Sequence, residues 1–329
     1  MKICVIGGAG YIGSHTVYEL IRDHHEVVVI DNLSTGKKES VHRDAKLYVG
    51  DITRIDDLKE IFSIECANKP FDAVMDFAAK IIVPESVEQP LLYYHNNVEG
   101  VRILLEVMVQ FHIKKIIFSS TAAVYGDVTK ELCEEDDVLC PMSPYGETKL
   151  SAEKMIQWVT KTYAMNYCIF RYFNVAGADE SLEIGLVRDN LTHIVPITVQ
   201  TALGLRPSMI VYGNDYPTFD GTCIRDYIHV SDLATAHVLG AAYIIKNNRS
   251  LILNLGSNHG FSVMEVIHEV EKYYPVAYSF GPRRAGDPAK LIASSSRAKE
   301  ILGWSPTRTL SDIIKSDIEF RLKNELHQD

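Results

Sequence analysis

Short apolar runs of strand length alternate, through the first half of the chain, with segments whose apolar positions recur every three to four residues. KICVI at 2–6, EVVVI at 26–30, KLYVGDIT, FDAVMDFAA, KKIIFSSTAAVYG and NYCIFRYFNVAG read as buried strands. NNVEGVRILLEVMVQF carries helical periodicity between two of them, and a helix is expected to start near Tyr11. Repeated strand-helix winding predicts an α/β fold built on a doubly wound parallel sheet, because a parallel strand needs a crossover long enough to hold a helix. From about Gly177 the pattern breaks into loops rich in Gly, Pro, Asp and Arg, such as GNDYPTFDGTCIRDYIHV and GPRRAGDPAKL. These predict a smaller mixed α/β domain. SDLATAHVLGAAYIIK and LILNLG then resume the earlier winding. The expected division is therefore 1–176 with 231–255 returning to it, and 177–230 with 256–329 as the second domain.

Composition narrows the class. With 329 residues, 47% apolar and 23% charged, the chain has the make-up of an ordinary globular enzyme with a large core. A net charge of −10 argues against a nucleic-acid surface, which needs clustered Lys and Arg. The six cysteines form no CxxC pair, and no zinc-type Cys/His spacing occurs, so buried reduced thiols and no metal are expected. No apolar run approaches the roughly 18 residues a membrane span requires. The reading is a cytoplasmic protein with no membrane and no nucleic-acid partner.

The chemistry begins at the amino terminus. In GGAGYIGSH, Gly7, Gly10 and Gly13 follow a strand and open a helix, an arrangement that brings backbone N–H groups against a pyrophosphate. The second strand ends in Asp31, whose carboxylate suits adenosine ribose hydroxyls and repels a 2′-phosphate. Together these predict a Rossmann domain that binds NAD rather than NADP. The ends of later strands, where such sheets bind ligands, carry Asp51, Ala78, residues 119–121 and Asn174. In SPYGETKLSAEK, Tyr145 and Lys149 share one helical face, and a fixed cation beside a phenol favours the phenolate. The expectation is that Lys149 lowers the Tyr145 pKa and that the pair transfers a proton to or from an alcohol.

GGAGYIGSH, DNLSTG, GDIT, SPYGETK, RYFNVAGA, GTCIRDYIHVSDLA and LGWSPTRTL stand in one order over nearly the whole chain. In them the sequence resembles the extended short-chain dehydrogenase/reductases, and within these the UDP-galactose 4-epimerase family. The resemblance implies UDP-galactose and UDP-glucose as substrates, with NAD held through the reaction. Tyr145 would take the proton of the sugar 4-hydroxyl while hydride leaves carbon 4, and the 4-keto sugar would be reduced again on its other face. Thr121 would bond the reacting oxygen. Cofactor contacts implied are Gly7, Gly10, Tyr11, Ile12, Gly13, Asp31, Asn32, Asp51, Ile52, Phe77, Ala78, Ala79, Lys80, Asn96, Tyr145, Lys149 and Tyr172. Substrate contacts implied are Thr121, Tyr145, Asn174, His193, Tyr212, Arg225, Arg284, Asp287 and Leu291. A homodimer through the helices of NNVEGVRILLEVMVQF and SPYGETKLSAEK is implied as well.

Some of these positions have plainer accounts. Ile52 and Phe77 suit core packing, Arg225 stands beside Asp226 and could form a salt bridge with it, and Arg283 could serve in place of Arg284. Lys80 lies one place before the family's cofactor-facing lysine, where this chain has Ile81, and one residue of shift can reverse a side chain. His193 replaces an Asn near the sugar nucleotide. Leu291, between the large Tyr that excludes an N-acetyl group and the small residues that admit it, leaves N-acetylhexosamine nucleotides open. A 4,6-dehydratase shares the fold but needs an acid and a base where this chain has Ala122 and Ala123, which have no proton to give or take. A non-catalytic NAD-binding regulator would have no need to keep Thr121, Tyr145 and Lys149 together.

Overall fold

The computed structural model describes residues 1–128, 130–188, 191–284 and 287–326. The chain forms two compact units, one of residues 1–126, 138–171 and 234–253, the other of 127–137, 172–233 and 254–329.

The first unit runs β1 (Lys2–Ile6), α1 (Tyr11–Arg22), β2 (Glu26–Asp31), β3 (Lys46–Val49), α2 (Ile55–Cys66), β4 (Ala73–Asp76), α3 (Val83–Glu88), α4 (Pro90–Tyr94), α5 (Gly100–Gln110), β5 (Lys115–Thr121), α6 (Pro144–Thr162) and β6 (Asn166–Tyr172). The second contains β7 (Asn174–Ala176), α7 (Ile194–Ala202), β8 (Met209–Tyr212) and β9 (Ile224–His229). Then α8 (Val230–Asn247) and β10 (Leu251–Leu255) carry the chain back to the first unit. It finishes with β11 (Gly260–Ser262), α9 (Val263–Glu271), β12 (Tyr278–Gly281), β13 (Lys290–Leu291), α10 (Ser296–Leu302) and α11 (Leu310–Asn324).

Seven strands form the first sheet in the order β10-β6-β5-β4-β1-β2-β3, and the pairs β1–β2, β2–β3, β1–β4 and β4–β5 are parallel. The expected doubly wound α/β sheet is therefore present, with its reversal of strand order between β1 and β4. Residues directly paired across strands point to one face, and every second residue along a strand does too. On the face that α2, α5 and α6 cover, Cys4, Ile6, Val28, Val74, Ile116 and Phe118 pack against Phe62, Leu104, Met108 and Ile156. Ile52 belongs to this core.

NYCIFRYFNVAG was expected as one strand and is two. It breaks at Phe173, and β7 pairs in parallel with β9 (Asn174 opposite Tyr227) in a four-stranded sheet with β11 and β13. Asn174 therefore does not end a strand of the seven-stranded sheet. The expected boundaries also differ from the observed division at 127–137. There the Cys133 amide donates to the Ile292 carbonyl at 2.8 Å, and Asn254 Nδ2 donates to the Cys133 carbonyl at 2.9 Å. These bonds tie the segment to the second unit, a long-range pairing that hydropathy does not encode.

Candidate active site

The glycine turn after β1 is shaped by close approach of backbone to backbone. Gly7 has φ +77°, where a Cβ is strained, and a Cβ on Gly13 would overlap the Gly7 carbonyl oxygen. Helix α1 thus begins hard against the turn, capped by Gly10 with no side-chain hydrogen bond and with no acidic residue in its first turn. This cradle and a carboxylate-free helix amino terminus fit a pyrophosphate. Gly13→Ala is expected to cost both NAD affinity and melting temperature, since the methyl group meets backbone that cannot swing away; unchanged NAD titration by calorimetry would refute the cradle.

At the end of β2, the buried Asp31 accepts hydrogen bonds from the Ala9 amide (2.9 Å) and the Leu33 amide (2.8 Å), which aim its carboxylate beside the glycine turn. Asn32 Nδ2 donates to Asp51 at 2.8 Å, and Thr53 donates to Asp51 through both its amide and its hydroxyl. Burial would push the Asp51 carboxyl up, yet the bonds from Thr53 and Asn32 outweigh it and hold the group below its ordinary range. Both residues fit the polar end of an adenosine. Phe77 packs against His237 with ring centroids 4.8 Å apart, and Ala78 donates its amide to Asp76.

A feature with no sequence signal lies at 95–99, where the helix preceding α5 widens into one π-turn. That bulge seats Asn97, 1% exposed, so that its Oδ1 accepts from the Lys80 amide and its Nδ2 donates to the Lys80 carbonyl and to Thr148 Oγ1. Asn96 donates to the same Asn97 oxygen at 3.1 Å. The backbone of Lys80 is thereby clamped, one residue from the family's lysine position.

Tyr145 and Lys149 sit in the first two turns of α6, which Ser143 caps by accepting from the Gly146 amide and Pro144 opens at its first position. Thr121, at the end of β5, shares a side-chain hydrogen bond with Tyr145 and also accepts from the Ala123 amide at 3.2 Å. The three residues expected to react are thus all in the first unit, with Thr121 and Tyr145 in contact. One expectation is overturned: burial pushes the Tyr145 phenol up, and it is the Thr121 bond, not Lys149, that pulls the other way. Helical spacing reported a shared face but not the loss of water around it. Lys149 Nζ stands 4.5 Å from the Phe118 ring centroid, and burial lowers its pKa to about 8, with Asp76 and then Glu153 opposing the shift.

In the second unit the candidate substrate residues cluster around β8, β9 and the segment before β13. Arg225, 9% exposed, pairs with Asp287 (Nη2 to Oδ1, 3.4 Å) rather than with Asp226, whose carboxylate accepts from Ser257 and Ala293. The Arg284 guanidinium lies 4.1 Å above the Tyr212 ring centroid. Arg283 instead stacks on Tyr216 and pairs with Asp215 at 2.7 Å, so the two neighbouring arginines have separate partners. Leu291 is half-buried opposite Arg225 in the β13–β9 register. His193 precedes α7, and burial together with the Arg188 charge lowers its pKa to about 4, leaving a neutral imidazole at physiological pH.

Comparison with known proteins decides the family. A family model described as GDP-mannose 4,6 dehydratase matches residues 4–316. The UDP-glucose 4-epimerase of Lacticaseibacillus casei is 49% identical over 308 residues, 93% of this chain and 92% of its own. A crystal structure of a UDP-glucose 4-epimerase superposes with a TM-score of 0.94 at 45% identity, covering 98% of both chains. The chain belongs to the UDP-glucose 4-epimerase family. A further member, from Stenotrophomonas maltophila and solved with bound NAD and formylated UDP-arabinopyranose, gives the same TM-score of 0.94 at 37% identity over 98% of both chains. The dehydratase in the family model's description reflects the shared scaffold. Ala122 is buried in the short 3-10 turn after β5, and neither it nor Ala123 can supply the proton transfers of dehydration. Among the described residues no cluster of His, Cys, Asp and Glu could hold a metal ion, and no helix is long and apolar enough to cross a membrane.

Proposed function

We propose that the chain interconverts UDP-galactose and UDP-glucose at carbon 4 of the sugar, through a 4-keto sugar, with NAD as resident cofactor. The observation that carries this reading is the hydrogen bond between the buried Thr121 and the half-buried Tyr145, one helical turn from Lys149. Gly7, Gly10, Tyr11, Ile12 and Gly13 would hold the pyrophosphate of NAD; Asp31 and Asn32, the adenosine ribose; Asp51 and Ile52, the adenine. Phe77, Ala78, Ala79, Lys80, Asn96 and Tyr172 would line the remainder. When bound, NAD supplies the carrier that accepts hydride from carbon 4 and returns it.

The chain's own residues govern the proton. Tyr145 accepts the proton of the sugar 4-hydroxyl, and Thr121, already bonded to the phenol, shares it with the reacting oxygen. Lys149 bonds the nicotinamide ribose through its ammonium. Arg225 and Arg284 take the diphosphate, because guanidinium offers always-charged forked donors. Arg225 enters this role with its Nη2 buried and without a hydrogen bond among the described residues. Asn174 joins them at the diphosphate, Tyr212 packs on the uracil, Asp287 bonds the uridine ribose, and His193 and Leu291 border the sugar nucleotide.

Incubating UDP-galactose with the protein and NAD, followed by NMR, tests the reading. Conversion to UDP-glucose without net NADH supports it; a 4-keto-6-deoxy product, or no conversion, overturns it. The same experiment on UDP-N-acetylgalactosamine shows whether Leu291 leaves room for an acetyl group. Arg225→Ala and Arg284→Ala are each expected to weaken UDP affinity by roughly 10- to 150-fold, the worth of a charge-assisted hydrogen bond at about 1.5–3 kcal/mol. Calorimetric titration with UDP checks this, and unchanged affinity in both removes the assignment.

We place the enzyme in the cytoplasm as a homodimer that pairs through α5 and α6. The six free cysteines support a reducing compartment, and the exposed Trp158 on α6 supports a covered face there. Light scattering at a mass of one chain would refute the dimer.

A further inference from the structure

The strand FDAVMDFAA carries an acid in an otherwise apolar run, and the fold gives that acid no solvent. Asp76 ends β4 with 1% of its surface exposed. It is paired in register with Ile6 of β1 and with Phe118 of β5. Ile6, Val74 and Phe118 all belong to the core beneath α6, so the two-residue period of the strand puts the Asp76 carboxylate on that same face. One of its oxygens accepts from the Ala78 amide at 3.0 Å, while Oδ2 is buried and accepts no hydrogen bond among the described residues. A carboxylate so placed is costly unless a cation faces it. The cation is on α6: Lys149, 3% exposed, holds its ammonium over the ring of Phe118, the register partner of Asp76.

We propose that Asp76 is a positioning residue for the epimerase reaction, its buried carboxylate keeping the Lys149 ammonium charged and held over Phe118 at the first turns of α6. The proposal rests on the reading of Tyr145 and Lys149 as the reacting pair. Three other titratable groups bear on these two. Glu153, one turn further along α6, also favours a charged Lys149, but its carboxylate is engaged by Arg171 at 2.7 Å and by Ser120. Cys4 of β1 is a thiol that burial drives well above its ordinary range, so it stays neutral, and Tyr145 is likewise driven up. Asp76 is thus the uncommitted anion on this face. Its own carboxyl is raised to about 6, chiefly by burial and with Lys149 as the leading opposing influence, so it is ionised at neutral pH. Lys149 loses its charge as pH rises through about 8, and without the Asp76 anion that loss comes at lower pH.

The test is the pH profile of kcat/KM for wild type, Asp76→Asn, Asp76→Ser and Lys149→Met, measured on NAD-loaded protein, with NAD affinity measured alongside. Asp76→Asn keeps an oxygen for the Ala78 amide, and Asp76→Ser does so in a smaller volume. In both, the alkaline limb is expected to move down by about one pH unit or more, a tenfold change in the charged fraction of Lys149 above it. NAD affinity is expected to weaken over the same pH range. A limb that stays in place, with activity lower by one factor at every pH, makes Asp76 merely structural and overturns the proposal. If Lys149→Met is inactive while the limb does not move, Asp76 alone is misassigned; if Lys149→Met is active, the reading of the reacting pair falls and the proposal with it. Should neither Asp76 variant fold, NMR of lysine-labelled wild-type protein decides. The Lys149 signal, assigned by its loss in Lys149→Met, is expected to show a second inflection from Asp76 near pH 6, and a single inflection overturns the proposal.

Discussion

Tyr145→Phe is expected to lower kcat by about 10²- to 10⁴-fold, the usual worth of a positioned proton-transfer group, while leaving the fold and NAD affinity in place. The substitution removes one oxygen and keeps the ring, whose edge-on contact with Tyr93 at 6.5 Å depends on shape alone. What it takes away is the acceptor for the sugar hydroxyl proton and the partner of Thr121. Because burial holds the phenol up, the base is not formed by the helix alone and needs the occupied site. Steady-state turnover of UDP-galactose and a thermal melt check both halves of the expectation. Turnover within threefold of wild type would remove Tyr145 from the mechanism.

Arg321→Met is expected to cost about 3–5 kcal/mol. Arg321 on α11 is fully buried, and its guanidinium bonds both oxygens of Asp317, 1% exposed, together with Glu325 and the Leu186 carbonyl. Methionine fills much of the volume and leaves the Asp317 carboxylate without its cation, in a place where burial already raises its pKa and only Arg321 opposes. Against a typical total of 5–15 kcal/mol, that loss removes a large part of the stability. Asp317→Leu combined with Arg321→Met removes both charges and is expected to recover most of the loss, as apolar replacement of a whole buried pair does. Urea melts of the single and double variants measure it; an additive double variant would show that the cost is packing and not the stranded charge.

Much of this was readable in the chain because it is local. The glycine turn, the second strand ending in Asp31 and the Tyr145–Lys149 spacing are set within one strand-helix unit, and the structure places each as the residue pattern implies. What was not readable depends on partners distant in sequence. The break at Phe173 is invisible in a continuous apolar run, since only β9 determines where β7 goes. The separate roles of Arg283 and Arg284 follow from Tyr216 and Tyr212, about 70 residues away (284 − 212 = 72). The raised Tyr145 pKa is set by the removal of water, a property of the closed fold that residue spacing does not contain. Asp76 had a weak signal, an acid inside an apolar strand, and the π-turn that seats Asn97 had none.

The route of the chain also governs how it can be made. The first unit is assembled from three separate stretches, and its outermost strand, β10, ends at Leu255. During synthesis, six strands of the sheet are complete by Tyr172, yet the open edge of β6 stays uncovered until more than eighty further residues have been added (255 − 172 = 83). Such an edge is a template for pairing with another chain. Nascent chains arrested in that interval, or genes truncated within it, are the forms of this protein that a holdase has most reason to bind.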